Sequence, residues 1–232
     1  MISIMLPTRK RFELLKKTVV SLIEKCDNIE NIQLMCRFDD DDFETYSIFK
    51  KWVNDIYPNV NKKIIIGYKY TYKLIHEYWN EMAQYADGDW LLHFNDDMVM
   101  ETEGWDKEIK KFDGKFLLLV NRESNRPNFF FPSAGCLPKK WVEVVGWLAK
   151  EKRNDEWTRD LAEELGIIEE GGYTIYHDRY DLTGNNKDET YESGRDQNWS
   201  KDGKKDREYW SDENKKIRSR DLEFLKKYLE LR

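Results

Sequence analysis

The chain has 232 residues, 40% hydrophobic and 14% aromatic, which supplies a packed core and excludes a disordered polymer. Its 39 basic and 45 acidic side chains leave a formal net charge of -6, so no overall attraction to nucleic acid or anionic lipid is expected beyond a local basic patch. No run of about 18 apolar residues occurs, and the N-terminus lacks the basic and long apolar regions of a signal peptide, which argues against a membrane span or a secretory leader.

Residues 2–6 form a short apolar run closed by Pro7, Thr8 and Arg9, the pattern of a buried strand ending in a polar loop. Phe12, Leu15, Val19, Leu22 and Ile23 then recur at helical spacing. Residues 32–38 read as a second strand, which ends in four consecutive aspartates, Asp39 to Asp42. A helix is expected over about residues 46–56, stopped before Pro58, and an Ile-rich strand over 63–68. A further helix over about 72–85 precedes the turn Asp87-Gly88. Residues 90–94 make a fourth strand ending at Asn95-Asp96-Asp97, and residues 116–120 a fifth.

The second half is less regular. Residues 128–132 are aromatic and extended, and Ser133 to Cys136 read as a turn. Helices are expected over 139–148 and 156–165, the latter ended by Gly166, with a short strand over 173–176 leading to His177. Residues 184 to about 210 are charged and poor in aliphatic side chains, so a mobile surface segment is expected there. Leu222, Leu225, Tyr228 and Leu229 mark a closing amphipathic helix. No internal repeat is found. Cys26, Cys36 and Cys136 form no Cys-x-x-Cys pair and are read as free, buried thiols of a soluble, cytoplasmic protein.

Strands alternating with helices predict βαβ units and an α/β fold with a mixed, mainly parallel sheet flanked by helices. In such sheets ligands sit beyond the carboxyl ends of the strands. The polar clusters fall at those ends: Thr8-Arg9, Asp39 to Asp42, and Asn95 to Asp97. Adjacent carboxylates facing a cleft suit a hard divalent cation such as Mn²⁺ or Mg²⁺, which keeps open positions for phosphate oxygens. They equally suit a solvated turn capping a helix. The four aspartates would also make a solvated loop, and the basic residues after Thr8 a solvated helix start.

The stretch from Asn80 to Asp97 resembles the donor-site signature of GT-A glycosyltransferases of the family 2 type. It has a helix with Asn, a small residue and Ala, then Gly88-Asp89, an apolar strand and an Asp-x-Asp-type motif. The opening Ile2 to Arg9, with its following helix, resembles the first strand of the same family, and the acid-ended second strand agrees. The resemblance covers roughly the first 120 residues. It departs at Asn95, which stands where the family has its first acid.

This resemblance implies a GT-A, Rossmann-like fold. It further implies metal-dependent, inverting transfer of a sugar from a UDP- or GDP-linked donor to a hydroxyl of a glycan, glycoprotein or small-molecule acceptor. By it Asp97 holds Mn²⁺ or Mg²⁺, Asp96 binds metal or ribose, and Asp39 accepts from the nucleobase or ribose. Pro7, Thr8, Arg9, Arg11 and Asn95 line the nucleotide pocket. His177, at the end of a late strand, completes the metal site, because neutral imidazole is a good ligand for Mn²⁺. Arg179 or a basic residue of the 184–210 segment meets the diphosphate.

Asn154-Asp155-Glu156-Trp157 resembles the segment carrying the general base of some inverting members. That makes Asp155 the first candidate and Glu156 the second, against a plain reading as first-turn acids of a helix. The implied organisation is a GT-A domain over 1–180, with a donor half of about 1–120 and an acceptor half of about 121–180. Residues 181–232 then form a lid or tail and the closing helix. Two other functions stay open: a nucleotidyltransferase, against which the glycine-free loop after the first strand argues, and a non-catalytic carbohydrate-binding protein.

Overall fold

The computed structural model describes residues 1–70, 72–189, 191–192 and 206–231. Among these, one mixed sheet comprises β1 (Ile2–Thr8), β2 (Ile32–Asp39), β3 (Lys62–Gly67), β4 (Trp90–His93), β5 (Met98–Met100), β6 (Leu118–Glu123), β7 (Cys136–Pro138) and β8 (Ile168–His177). Their spatial order is β3-β2-β1-β4-β7-β6-β8-β5. The block β3-β2-β1-β4 is parallel, and so is the pair β6-β8. β7 runs antiparallel between β4 and β6, and β5 antiparallel to β8.

The sheet is covered on both faces by α1 (Phe12–Glu24), α2 (Phe43–Ile56), α3 (His76–Tyr85), α4 (Trp105–Lys110), α5 (Lys139–Val145), α6 (Asn154–Leu165) and α9 (Asp212–Glu230), with short turns α7 (Tyr180–Thr183) and α8 (Asp206–Tyr209). Because successive strand residues point to opposite faces, Ile2, Ile4 and Leu6 pack with Leu15, Val19 and Leu22 of α1 and Phe49 of α2. Met5 and Leu91 face the other way, into a core with Trp79 and Met82 of α3, Trp141 of α5, Trp157 of α6 and Leu225 of α9. Burial on both faces explains why these central strands read as apolar runs.

The register creates the crevice. β1 pairs with β4 only as far as Met5 opposite His93, but continues along β2 to Thr8 opposite Phe38. Leu6, Pro7 and Thr8 therefore stand clear of β4. The chain order of the strands also reverses between β1 and β4, which makes this the switch point where ligands settle in open α/β sheets.

Several boundaries differ from the sequence reading. α2 starts at Phe43, directly after Asp42, whose carboxylate accepts the Thr45 hydroxyl at 2.8 Å and caps no helix N–H. α3 starts at His76, after a 3-10 turn over Tyr72–Leu74. α5 stops at Val145, where Gly146 takes φ +93, and Gly166 ends α6 at φ +65, both in the left-handed region that glycine enters without a Cβ clash. α6 begins at Asn154, two residues early. The strand read at 116–120 runs to Glu123, and the one read at 173–176 is the end of ten-residue β8, whose pairing with β6 shifts register between Val120 and Arg122.

The short elements β5, β7 and α4 went unread, and residues 128–132 join no strand. Cys36 and Cys136 are buried free thiols, whereas free Cys26 is partly exposed.

Within the expected mobile stretch of 184–210, residues 190 and 193–205 lie outside the described residues. Its end is packed: Tyr209 is 1% exposed and donates its hydroxyl to Asp160 at 2.7 Å. Downstream, fully buried Asp221 of α9 accepts the indole N–H groups of Trp147 at 3.0 Å and Trp157 at 3.3 Å. Removing it would leave buried donors unpaired, at about 1–3 kcal/mol each.

Candidate active site

The β1–β4 crevice is closed at its mouth by Asp96. Its carboxylate accepts the Thr8 hydroxyl at 2.7 Å and the Arg11 guanidinium at 3.2 Å, while the Thr18 hydroxyl lies 2.9 Å from its backbone carbonyl. Burial drives the Asp96 carboxyl up to about 6; Arg11 and Thr8 pull it down, and neighbouring Asp97 adds to the rise. Asn95 contributes its backbone carbonyl, which accepts the Met98 N–H at 3.2 Å and sets the turn.

Asp97 meets His177 because β5 and β8 pair with Met98 opposite His177, and the Asp178 N–H donates to the Asp97 carbonyl at 2.8 Å. The imidazole lies between two carboxylates, its Nε2 3.4 Å from Asp97 Oδ1 and its Nδ1 3.6 Å from Glu123 Oε1. Both separations are longer than hydrogen bonds, and Asp97 Oδ1 and both ring nitrogens are buried without a hydrogen-bond partner. Burial opposes the charge on His177, yet the two flanking acids raise it to about 9. Burial likewise opposes ionisation of Asp97, but His177, Arg11 and Arg179 lower its carboxyl on balance.

Glu123 was missed from the sequence. It takes two hydrogen bonds of 2.6 Å from Arg126 and another from the Ser133 hydroxyl. Against burial, these donors and His177 bring its carboxyl down to about 2. The available signal was a polar residue at a strand end, as at the other site positions. It was hidden because the strand was read as stopping at residue 120.

Of the four aspartates after β2, Asp39 alone pairs burial with an unpartnered oxygen. Its Oδ1 accepts from buried Arg37 and from the Tyr78 hydroxyl at 2.9 Å, whereas Oδ2 has no hydrogen-bond partner and lies 3.6 Å from Arg9. The Arg37 guanidinium also stacks 4.3 Å from the Tyr78 ring centre. Burial raises the Asp39 carboxyl although Tyr78, Arg37 and Arg9 counteract it. Asp41 pairs with Arg9 and Lys69, and Asp42 accepts the Lys10 N–H at 2.6 Å. That last bond holds Lys10 at φ +53, a strained setting for a non-glycine residue beside the crevice. Pro7 borders the crevice on β1, paired with Arg37 of β2. Arg11 is held from outside by Asp188, through two bonds of 2.7 and 2.8 Å, and Lys10 by Glu189 at 3.0 Å.

Asp155 lies in the first turn of α6, whose start is tied to the end of β4 by a 3.2 Å contact between the Asn154 amide and His93 Nε2. Burial and the charge of His177 depress His93 to about 3, so its ring is neutral. Glu156 is engaged by Arg153, whereas the Asp155 side chain makes no ion pair among the described residues and accepts the Glu156 N–H at 2.9 Å. Burial raises the Asp155 carboxyl, and Arg153 and Arg179 moderate the rise.

Among the described residues no cluster of three His, Cys, Asp or Glu side chains is arranged to hold a metal. The residues nonetheless fit a divalent cation as a pair. Asp97 Oδ1 and His177 Nε2 face one another, buried and without hydrogen-bond partners; a cation there would displace the imidazole proton and, held through few protein ligands, take the rest from phosphates and water. No helix among the described residues is long and apolar enough to cross a membrane.

No protein-family model and no curated protein matches the sequence. Among solved structures the chain is similar to a mannosyltransferase from Pyrobaculum calidifontis in complex with GDP-Man and Mn²⁺. The TM-score is 0.65 at 11% identity, over 77% of this chain and 56% of that one. It is also similar to S. aureus TarS 1-349 with UDP, at TM-score 0.58 and 14% identity over 78% of this chain and 62% of that one. The same protein with UDP-GlcNAc gives TM-score 0.57 at 14% identity, over 75% and 55%. The fold is thus the GT-A type, and the chain spans a little over half the length of these structures.

Proposed function

We propose that this chain transfers a sugar from a nucleotide-diphosphate donor to an acceptor hydroxyl, with a divalent metal and with inversion at the anomeric carbon. The observation that carries the reading is the set of unpartnered groups at the strand ends around one switch point: Asp39 Oδ2, Asp97 Oδ1 and the His177 ring nitrogens. Solved neighbours of this fold that hold GDP-Man with Mn²⁺, or UDP-GlcNAc, support it.

Asp39 offers its open oxygen to an N–H or O–H of the base or ribose. Asp97 and His177 would hold the cation, which when bound neutralises charge on the leaving diphosphate. Arg11 and Arg179, both close enough to Asp97 to lower its carboxyl, add fixed positive charge there. Asp155, made more basic by burial, takes the proton of the acceptor hydroxyl. The acceptor oxygen bonds to the anomeric carbon as the bond from that carbon to the diphosphate oxygen breaks, and the electron pair leaves with the nucleoside diphosphate. A single displacement of this kind inverts the centre.

The test is calorimetry with UDP or GDP and Mn²⁺, followed by Mn²⁺-dependent hydrolysis of the corresponding nucleotide sugars. Wild type should bind nucleotide and metal together and release sugar, and Asp97→Ala should do neither while staying folded. Equal binding by the two proteins would remove the metal assignment. Binding without turnover would favour a carbohydrate-binding protein.

A further inference from the structure

Glu123 is fully buried, ionised, and idle in the transfer just described. It ends β6, which pairs in parallel with β8 so that Glu123 lies opposite Ile175, two residues before His177. Its carboxylate is not free to move: Arg126 grips both oxygens at 2.6 Å and Ser133 donates to Oε1. The same loop fixes the backbone of the histidine, since the Asn125 amide donates to the His177 carbonyl at 2.8 Å and its carbonyl oxygen accepts the His177 N–H at 3.4 Å. An imidazole pinned at its backbone still has the rotation of its own ring. The Glu123 carboxylate lies on its Nδ1 side at 3.6 Å, beyond hydrogen-bond range, so it acts on the ring through its charge and favours the orientation that turns Nε2 toward Asp97. Ligand histidines commonly depend on such a partner on the remote nitrogen.

We infer that Glu123 is a positioning residue, an anchored carboxylate that holds the His177 ring with Nε2 facing Asp97. The inference rests on the reading of Asp97 and His177 as a metal pair, but its claim about the ring concerns the metal-free protein. It assigns Arg126 and Ser133 a purpose as well, for they keep the anchor in place.

The experiment compares wild type with Glu123→Ala, Glu123→Gln and Glu123→Asp, by Mn²⁺ titration followed by electron paramagnetic resonance without nucleotide, and by crystal structures without metal. Glu123→Ala should weaken Mn²⁺ binding roughly 10–100-fold, and its His177 ring should leave the 3.4 Å contact with Asp97. Glu123→Gln keeps the shape but removes the charge and should lose most of the affinity. Glu123→Asp keeps the charge and should retain more of it. If Glu123→Ala fails to fold, the Gln and Asp variants decide alone, and the reverse ranking would overturn the inference by making reach rather than charge the requirement. A variant that melts earlier but keeps both the ring orientation and the Mn²⁺ affinity would overturn it too. If wild type binds no Mn²⁺, the metal reading fails by itself. The ring in the metal-free Glu123→Ala crystals then still decides the positioning claim.

Discussion

Thr8 and Asp96, 88 positions apart, meet through one buried hydrogen bond of 2.7 Å that spans the mouth of the crevice. Thr8→Val keeps the β-branched shape favoured in a strand and removes only the donor. Asp96 would then retain Arg11 as its side-chain donor, and stability should fall by about 1–2 kcal/mol. Urea denaturation at neutral pH measures this, and an unchanged midpoint would show that the bond contributes nothing.

His177 gives a pH signature. Burial lowers its affinity for a proton, but Asp97 and Glu123 outweigh that and lift it from 6.5 to about 9. A group raised in this way stabilises the fold fully below its unfolded value and loses that contribution as pH rises through the folded one. The metal-free wild type should exceed His177→Gln by roughly 2–3 kcal/mol near pH 6. The gap should close between about pH 6.5 and 9, and a gap that widens in that window would contradict the two-carboxylate setting.

Asp155→Asn keeps the size and most hydrogen bonding of the side chain while removing the proton acceptor. Turnover should drop by about 10²–10⁴-fold with donor affinity near wild type. Glu156→Gln should do less harm, because Glu156 is already paired with Arg153. Full activity in Asp155→Asn with loss in Glu156→Gln would move the base by one residue. Retention of the donor's anomeric configuration in the product would overturn inversion itself.

Asp188 competes for the charge that a diphosphate would use, since it holds Arg11 through two bonds. Asp188→Asn weakens that competition and should tighten nucleoside diphosphate binding about two- to fivefold, in line with a part-exposed ion pair. Calorimetry at low salt is the measurement. Weaker binding in the variant would mean that Asp188 helps to present Arg11 rather than opposing its use.

The strands and helices of the first 120 residues were legible because their physics is local. Parallel strands buried on both faces write themselves as apolar runs, and each polar cluster then marks a strand end, as at Thr8, Asp39 and Asp97. His177 was legible for the same reason. What escaped depends on tertiary pairing: β7 is three residues long and exists only because β4 and β6 flank it, with Leu92 and Leu119 both opposite Cys136. Glu123 meets His177, more than fifty positions downstream, only through the pairing of β6 with β8, and no periodicity spans that distance. The sequence ranks Asp155 ahead of Glu156, but that Arg153 pairs with Glu156 and not with Asp155 depends on the tertiary structure.

The hold of α9 on α6 orders events in time. Trp157 stands in the helix that starts with Asn154 and Asp155, and its indole finds Asp221 only 64 positions later in the chain. On the ribosome, α6 therefore emerges with an apolar face and an indole N–H that have no final partner until the last helix is made. The first strands can settle while synthesis continues, but the helix that carries Asp155 is completed last. A nascent chain arrested before residue 212 should accordingly remain sensitive to proteolysis around α6 after its first four strands are protected.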